Sequence, residues 1–235
     1  MWVLIPVKPL AQAKTRLAAV LSPVEREALV RHMLDDVLAA LAAAPGIAGI
    51  ALVTADPAVA QIGAERSLRV LPESAPGLNA ALHGAIATLA AEGVDTLLVL
   101  PADVPLFDTA ALEQLRAAHR AAPALTLVAA SADGGTNALL MSPPDLLPPA
   151  FGTGSCAGYG RAAQELGVVP VLLELPQAAL DIDRPEDLAR LEFQTGATRT
   201  REFLHRIDAW ARIDAWVHKR HGACETPVTL ARHAS

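Results

Sequence analysis

Short apolar runs alternate with longer amphipathic stretches through most of the chain, and this alternation restricts the fold more than any other feature. LIPV near the amino end, IALVT before Asp56, LRVLP, TLLVL before Pro101, ALTLVAAS, NALLM and VVPVLLEL all read as strands, mostly with the continuous hydrophobicity of burial on both faces. Helical spacing fills the gaps. In SPVEREALVRHMLDDVLAALAAAPG, Ser22, Pro23 and Glu25 form a capping box with proline at the first helical position, and Val30, Met33, Leu34, Val37, Leu38 and Leu41 share one face. A short helix follows Asp56. GLNAALHGAIATLAAEG repeats the helical spacing through Leu78, Leu82, Ile86 and Leu89, and a further helix is expected over Ala110 to Arg120. Strand and helix in strict succession imply right-handed crossovers, hence an α/β protein: one Rossmann-like domain whose mainly parallel sheet carries helices on both faces.

The residues agree with that class. Hydrophobic residues make up 52% of the 235 and aromatic ones only 3%, so the core must come from aliphatic packing. The formal net charge of -6 argues against a nucleic-acid binder with a broad basic surface. MWVLIPVK is too short for a secretory leader, and no window approaches the ~18 uninterrupted apolar residues of a membrane span, so a cytoplasmic location is expected. Cys156 and Cys224 lack metal or disulfide spacing and are expected to be reduced thiols. Composition shifts after Phe193. The main domain is therefore placed at residues 1–195, a helical appendage containing the repeat RIDAWARIDAW at 196–222, and a disordered tail at 223–235.

In an open parallel sheet, ligands bind outside the carboxyl ends of the strands, so the loops there are where chemistry is sought. The loop VKPLAQAKTRL carries Lys8, Lys14 and Arg16 with no acidic residue among them. A solvated turn is the plain reading; after the first strand, however, such cations suit a polyphosphate, whose oxygens lysine neutralises and arginine fork-bonds. Neither Lys14 nor Arg16 falls where the core needs it, so both are expected to be dispensable for folding. PADVPL places Asp103 after a buried strand, alone no more than a turn signal. In LDIDRPEDL, Asp181 and Asp183 flank Ile182, and an extended backbone would point both carboxylates one way. Two like charges so close call for a divalent cation, with Mg²⁺ suited to oxygen ligands; a paired helix cap is the other reading. Glu186 and Asp187 read as an ordinary helix start. Finally DGGTN and FGTGSCAGYG bring glycine and small hydroxyls together at Thr136, Gly152 and Ser155, either as plain turns or as a seat for a second, smaller phosphate.

These stretches, in this order, resemble the CofC family of GTP-dependent guanylyltransferases of deazaflavin coenzyme biosynthesis, over about residues 3 to 192. The resemblance implies a nucleotidyltransferase (GT-A-like) domain shared with the molybdopterin guanylyltransferases. It implies nucleotide binding by Lys8, Lys14, Arg16, Gly77, Leu78, Asn79 and Asp103, with Lys14, Arg16 and Asp103 serving catalysis. It further implies one or two Mg²⁺ ions on Asp103, Asp181 and Asp183, and acid binding by Thr136, Asn137, Gly152 and Ser155. PVKPLAQAKTRLA stands where relatives of the fold carry a glycine-rich LAGG loop. The implied reaction transfers GMP from GTP to the phosphate of a small phosphorylated acid, releasing pyrophosphate. Its product passes to the next enzyme of the pathway. The acid is 2-phospho-L-lactate, phosphoenolpyruvate or 3-phospho-D-glycerate, and the last is expected here, because SCAGYG replaces an arginine-histidine pair and the chain looks proteobacterial. Another GTP- or CTP-dependent nucleotidyltransferase and a non-catalytic nucleotide-binding domain are the alternatives. No nucleic-acid or membrane partner is expected, and a homodimer is left open.

Overall fold

The protein is described by a computed structural model over residues 1–221. Seven strands, β1 (Trp2–Pro6), β2 (Gly49–Thr54), β3 (Arg69–Pro72), β4 (Leu97–Val99), β5 (Ala124–Ala129), β6 (Thr136–Ser142) and β7 (Val171–Leu173), form one sheet in the order β3-β2-β1-β4-β6-β5-β7. Parallel pairing joins β1 to β2 and β4, β2 to β3, and β5 to β7; β6 alone runs against both its neighbours. The sheet is thus mainly parallel, as the alternation of patterns demands. Two features of the connectivity decide where a site can form. The strand order reverses between β1 and β4, so the loops leaving them diverge at a switch point. Because β6 is antiparallel, its first residues lie beside the last residues of β4, with Leu139 opposite Val99. The turn before β6 therefore joins the same rim as the loops after β1 and β4.

The helices are α1 (Pro23–Ala43), α2 (Pro57–Glu65), α3 (Leu78–Ala91), α4 (Thr109–Ala118), α5 (Ser155–Glu165), α6 (Pro176–Ala179), α7 (Pro185–Glu192), α8 (Arg199–Arg206) and α9 (Ala209–His221). They cover both faces of the sheet. Alternate strand residues divide the core: Val3, Ile5, Leu52, Leu98 and Leu140 pack with α1, α4, α7, α8 and α9, whereas Leu4, Val53, Leu97, Val99 and Leu139 pack with α3 and α5. Full burial of each such leucine or isoleucine stabilises the fold by about 1.5–3 kcal/mol. The capping box at α1 is present, with Ser22 Oγ accepting from the Glu25 N–H and Glu25 from the Ser22 N–H. The strand expected over VVPVLLEL is shorter, because only Val171–Leu173 pair with β5.

Residues 199–221 are helical but not continuous. Asp208 adopts a left-handed φ of 51°, which an aspartate tolerates better than a branched residue, and the chain turns there from α8 into α9. Phe203, Leu204, Ala209 and Ile213 are buried in the same cluster as β1, while Trp210 and Trp216 pack partly buried against it. Cys156 is buried, and burial pushes its thiol pKa up; Cys224 and the expected disordered tail lie outside the described residues. Among those residues no helix is long and apolar enough to cross a membrane.

Glu25 links α1 to α9. Arg212 of α9 donates to its carboxylate at 2.9 and 3.1 Å, and those bonds, with the Ser22 cap, bring the Glu25 pKa down from 4.5 to about 2. Since the unfolded chain takes up this proton first, the contribution is complete above pH 4.5 and is lost as the pH falls towards 2. The pair is partly solvated, so Glu25→Gln is expected to cost about 0.5–1 kcal/mol at pH 7. Urea unfolding at pH 7 and pH 3 should show a difference between the two proteins that narrows in acid; a constant difference would contradict the assignment.

Candidate active site

The loop after β1 is built to present cations. Pro6 and Pro9 bracket its start, single turns of 3-10 helix form at Leu10–Gln12 and Thr15–Leu17, and Leu10 and Leu17 plug the core beneath. The loop is tied to the start of α2 by the Leu10 N–H, which donates to Oδ2 of the capping residue Asp56 at 2.7 Å. Lys14 opens the second turn with a left-handed φ of 53°, a conformation a lysine holds at a cost of roughly 1 kcal/mol. The reason lies in its side chain. Lys14 Nζ reaches Asp103 Oδ2 at 2.5 Å and Asp183 Oδ1 at 2.9 Å, and Arg16 adds a bond to Asp183 Oδ2 at 2.8 Å.

Only 9% of the Lys14 side chain is exposed, so the residue expected to be dispensable for the fold is in fact a buried bridge between three loops. Burial works against its charge, but the carboxylates of Asp103 and Asp183 outweigh that and raise its pKa. Asp183 shows the reciprocal effect: burial is overcome by Lys14, Arg16 and Lys8, and its pKa falls. Asp181 behaves differently. Burial pushes its carboxyl up and nearby Asp103 adds to the shift, opposed chiefly by a hydrogen bond from Asn137 Nδ2 at 3.1 Å.

The expected site residues therefore fall into connected groups. Lys8, Lys14, Arg16, Leu78, Asp103 and Asp183 line one cavity of about 340 Å³, with Met33 and Phe151 among its apolar walls. The Ile182 N–H donates to the Asp103 carbonyl at 2.9 Å and locks the two acidic loops together. Asn137 joins Asp181 and the Ala179 carbonyl to the start of β6. Beside it the buried hydroxyls of Thr136 and Ser155 bond each other at 2.8 Å. The two glycine loops touch, since a Cβ on Gly135 would come within 3.3 Å of the Gly152 carbonyl. Gly77, at φ 100°, precedes α3. Asn79 is off the cavity wall, bonded to the backbone of Phe151.

Asp187 reads in the sequence as part of an ordinary helix start, and it is one: its Oδ2 closes a capping box on α7 by accepting from the Arg184 N–H at 2.8 Å, and it also takes the Asp183 N–H at 3.1 Å, fixing the backbone that carries the Asp183 carboxylate. Sequence reasoning missed Phe151, an apolar wall of the cavity. Only the folded chain brings it there.

Among the described residues, no three His, Cys, Asp or Glu side chains gather as a metal cluster, because Lys14 stands between Asp103 and Asp183. The donors nevertheless fit a hard divalent ion. All are carboxylate oxygens, and Asp181, desolvated beside Asp103, has no cation of its own in direct contact.

The profile "Guanylyl transferase CofC like" matches residues 1–220 of the chain. The chain belongs to this family. It is 42% identical over 192 residues to the phosphoenolpyruvate guanylyltransferase of Rubrobacter xylanophilus, covering 82% of this chain and 93% of that one. To the 3-phospho-D-glycerate guanylyltransferase of Phenylobacterium zucineum it is 38% identical over 199 residues, covering 82% and 89%. Such relatives make this chain a guanylyltransferase of the CofC type. Solved structures agree on the fold. A Desulfovibrio desulfuricans protein described as a nucleotide-diphospho-sugar transferase superposes with a TM-score of 0.70 at 17% identity, covering 92% of this chain and 97% of that one. A 4-diphosphocytidyl-2C-methyl-D-erythritol synthase gives 0.57 at 17% identity, over 82% and 99%.

Removing the Lys14 ammonium leaves acidic groups facing one another with only the exposed Arg16 and Lys8 to offset them. Lys14→Ala is expected to cost about 1–2 kcal/mol at pH 7.5, less than for a fully buried pair because Asp183 is partly solvated. The sign with pH follows from Asp181: burial already pushes its carboxyl up and Lys14 is among the groups that hold it down, so without Lys14 it rises further and acidification from 7.5 to 5.5 should narrow the variant's deficit. Thermal melts across that range check this. A melting temperature equal to the parent's throughout would show that the bridge contributes nothing.

Proposed function

We propose that the site transfers GMP from GTP to the phosphate of a three-carbon phosphorylated acid, releasing pyrophosphate, as a step of deazaflavin coenzyme biosynthesis in the cytoplasm. The observation carrying this reading is the cavity in which Lys14, Arg16 and Lys8 meet Asp103 and Asp183 at the switch point of the sheet. Lys8, Lys14 and Arg16 would receive the β- and γ-phosphates, and Asp103, Asp181 and Asp183 would hold Mg²⁺. When bound, that ion neutralises phosphate charge. The rest falls to the chain's own residues. Lys14 and Arg16 stabilise the charge that grows on the departing pyrophosphate, and Thr136, Ser155 and Gly152 seat the acid. An oxygen of the acid's phosphate attacks the α-phosphorus in line, a phosphoanhydride forms, and the bond to the β-phosphate breaks. The attacking oxygen is already anionic, so no general base is needed, consistent with the absence of a histidine among the cavity residues.

Phosphoenolpyruvate and 3-phospho-D-glycerate are the acids carried in the relatives' names, and the pocket's SCAGYG sequence favours the second. The protein is mixed with GTP, Mg²⁺ and each acid, 2-phospho-L-lactate included, and pyrophosphate is measured. A deazaflavin acceptor and the next enzyme are added to draw off the product. Pyrophosphate is expected with one acid and not with GTP alone, and Asp183→Asn should lower kcat by about 100-fold. Absence of pyrophosphate with every acid would refute the reading; full turnover by Asp183→Asn would refute its metal assignment.

A further inference from the structure

Residues 149–152 run between α3 and α5 and are gripped from both. Asn79, near the start of α3, uses both ends of its amide: Oδ1 accepts from the Phe151 N–H at 2.8 Å and Nδ2 donates to the Phe151 carbonyl at 3.1 Å. A side chain is thus pairing with a peptide group as a neighbouring strand would. From α5, the hydroxyl of Tyr159 accepts from the Ala150 N–H at 2.6 Å, and its ring meets that of Phe151 edge-on with centroids 5.7 Å apart. Tyr159 is 2% exposed. Neither Asn79 nor Tyr159 lines the cavity, whereas Phe151 does.

The segment needs such a clasp. Directly after Phe151 come Gly152 at φ 152° and Gly154 at φ 70°, each with open space where a Cβ would stand. Two unhindered glycines give the backbone on the way to Ser155 little stiffness of its own, so its shape depends on hydrogen bonds. On one side Thr153 Oγ1 donates to the Asp133 carboxylate and the Gly154 N–H to the Asp133 carbonyl. On the other the clasp holds Ala150 and Phe151, sparing a loop that would otherwise be ordered each time a ligand binds.

We propose that Asn79 and Tyr159 are positioning residues for the acceptor acid. They act through Ala150 and Phe151 to hold Gly152 and the start of α5 ready for the acid's phosphate. The proposal rests on the acid-binding role given above to Gly152 and Ser155, and it moves Asn79 from the nucleotide to the acceptor side. The same clasp joins the helix bordering the nucleotide to the loop taking the acid, so the two subsites share one wall.

Three measurements on the full chain test this: steady-state kinetics with the productive acid, GTP affinity by calorimetry, and hydrogen exchange over residues 149–155. In Asn79→Ala, KM for the acid should rise about tenfold, or ~1.4 kcal/mol, with a much smaller change in kcat and GTP affinity within about twofold of the parent. Exchange at Ala150 and Phe151 should accelerate. Tyr159→Phe should move the same quantities less, and Asn79→Asp, which keeps the oxygen facing the Phe151 N–H, should recover part of the loss. Weaker GTP binding with unchanged acid KM would overturn the proposal by making Asn79 a nucleotide contact. Unchanged exchange would overturn it by showing that there is no clasp. If the parent turns over no acid, the functional reading fails separately, and exchange alone then decides whether Asn79 holds the segment.

Discussion

The ammonium of Lys14 is the point to which the functional end of this fold is fastened. It ties the loop after β1 to the loop after β4 and to the acidic segment before α7, elements far apart in sequence. Charges of both signs in so small a space are costly to bury unless each finds its opposite. Here Lys14 and Arg16 are paired with Asp103 and Asp183, whereas among the described residues Lys8 makes no ion pair and Asp181 relies on an amide. A lysine in left-handed geometry is the local cost of reaching two carboxylates at once.

The reversed strand makes the second half of the site geometrically available. Were β6 parallel to β4, its first residues would lie at the opposite rim and Asn137 could not approach Asp181. The hairpin of β5 and β6 instead returns the DGGTN turn to the rim where the cationic loop ends. Thr136 and Ser155, apart in sequence, can then bond each other and prop the loop that carries Gly152.

Much of this was legible in the sequence. Buried strands, the capping box at Ser22, the divided helical faces and the alternation that yields a parallel sheet all rest on periodicity, which is local information. The cationic loop and Asp103 could be found because they fall where strands end, and Asp181 and Asp183 because they flank a buried Ile182, although a short helix separates them from β7. What was not legible depends on pairing across the fold. Nothing local says that Lys14 turns inward or that Asn79 addresses a peptide group on another element. The break at Asp208 was hidden for a related reason: the residues either side of it are good helix formers, and only packing of α8 on α1 and of α9 on α7 calls for the bend.

That packing bears on how the chain is made. The outward side of α1 is sealed by α8, and Glu25 at its start is clasped by Arg212 of α9. Helix α1 thus carries an apolar stripe whose natural cover is synthesised much later than the helix itself. Until that cover emerges, the nascent polypeptide must keep the stripe from other partners.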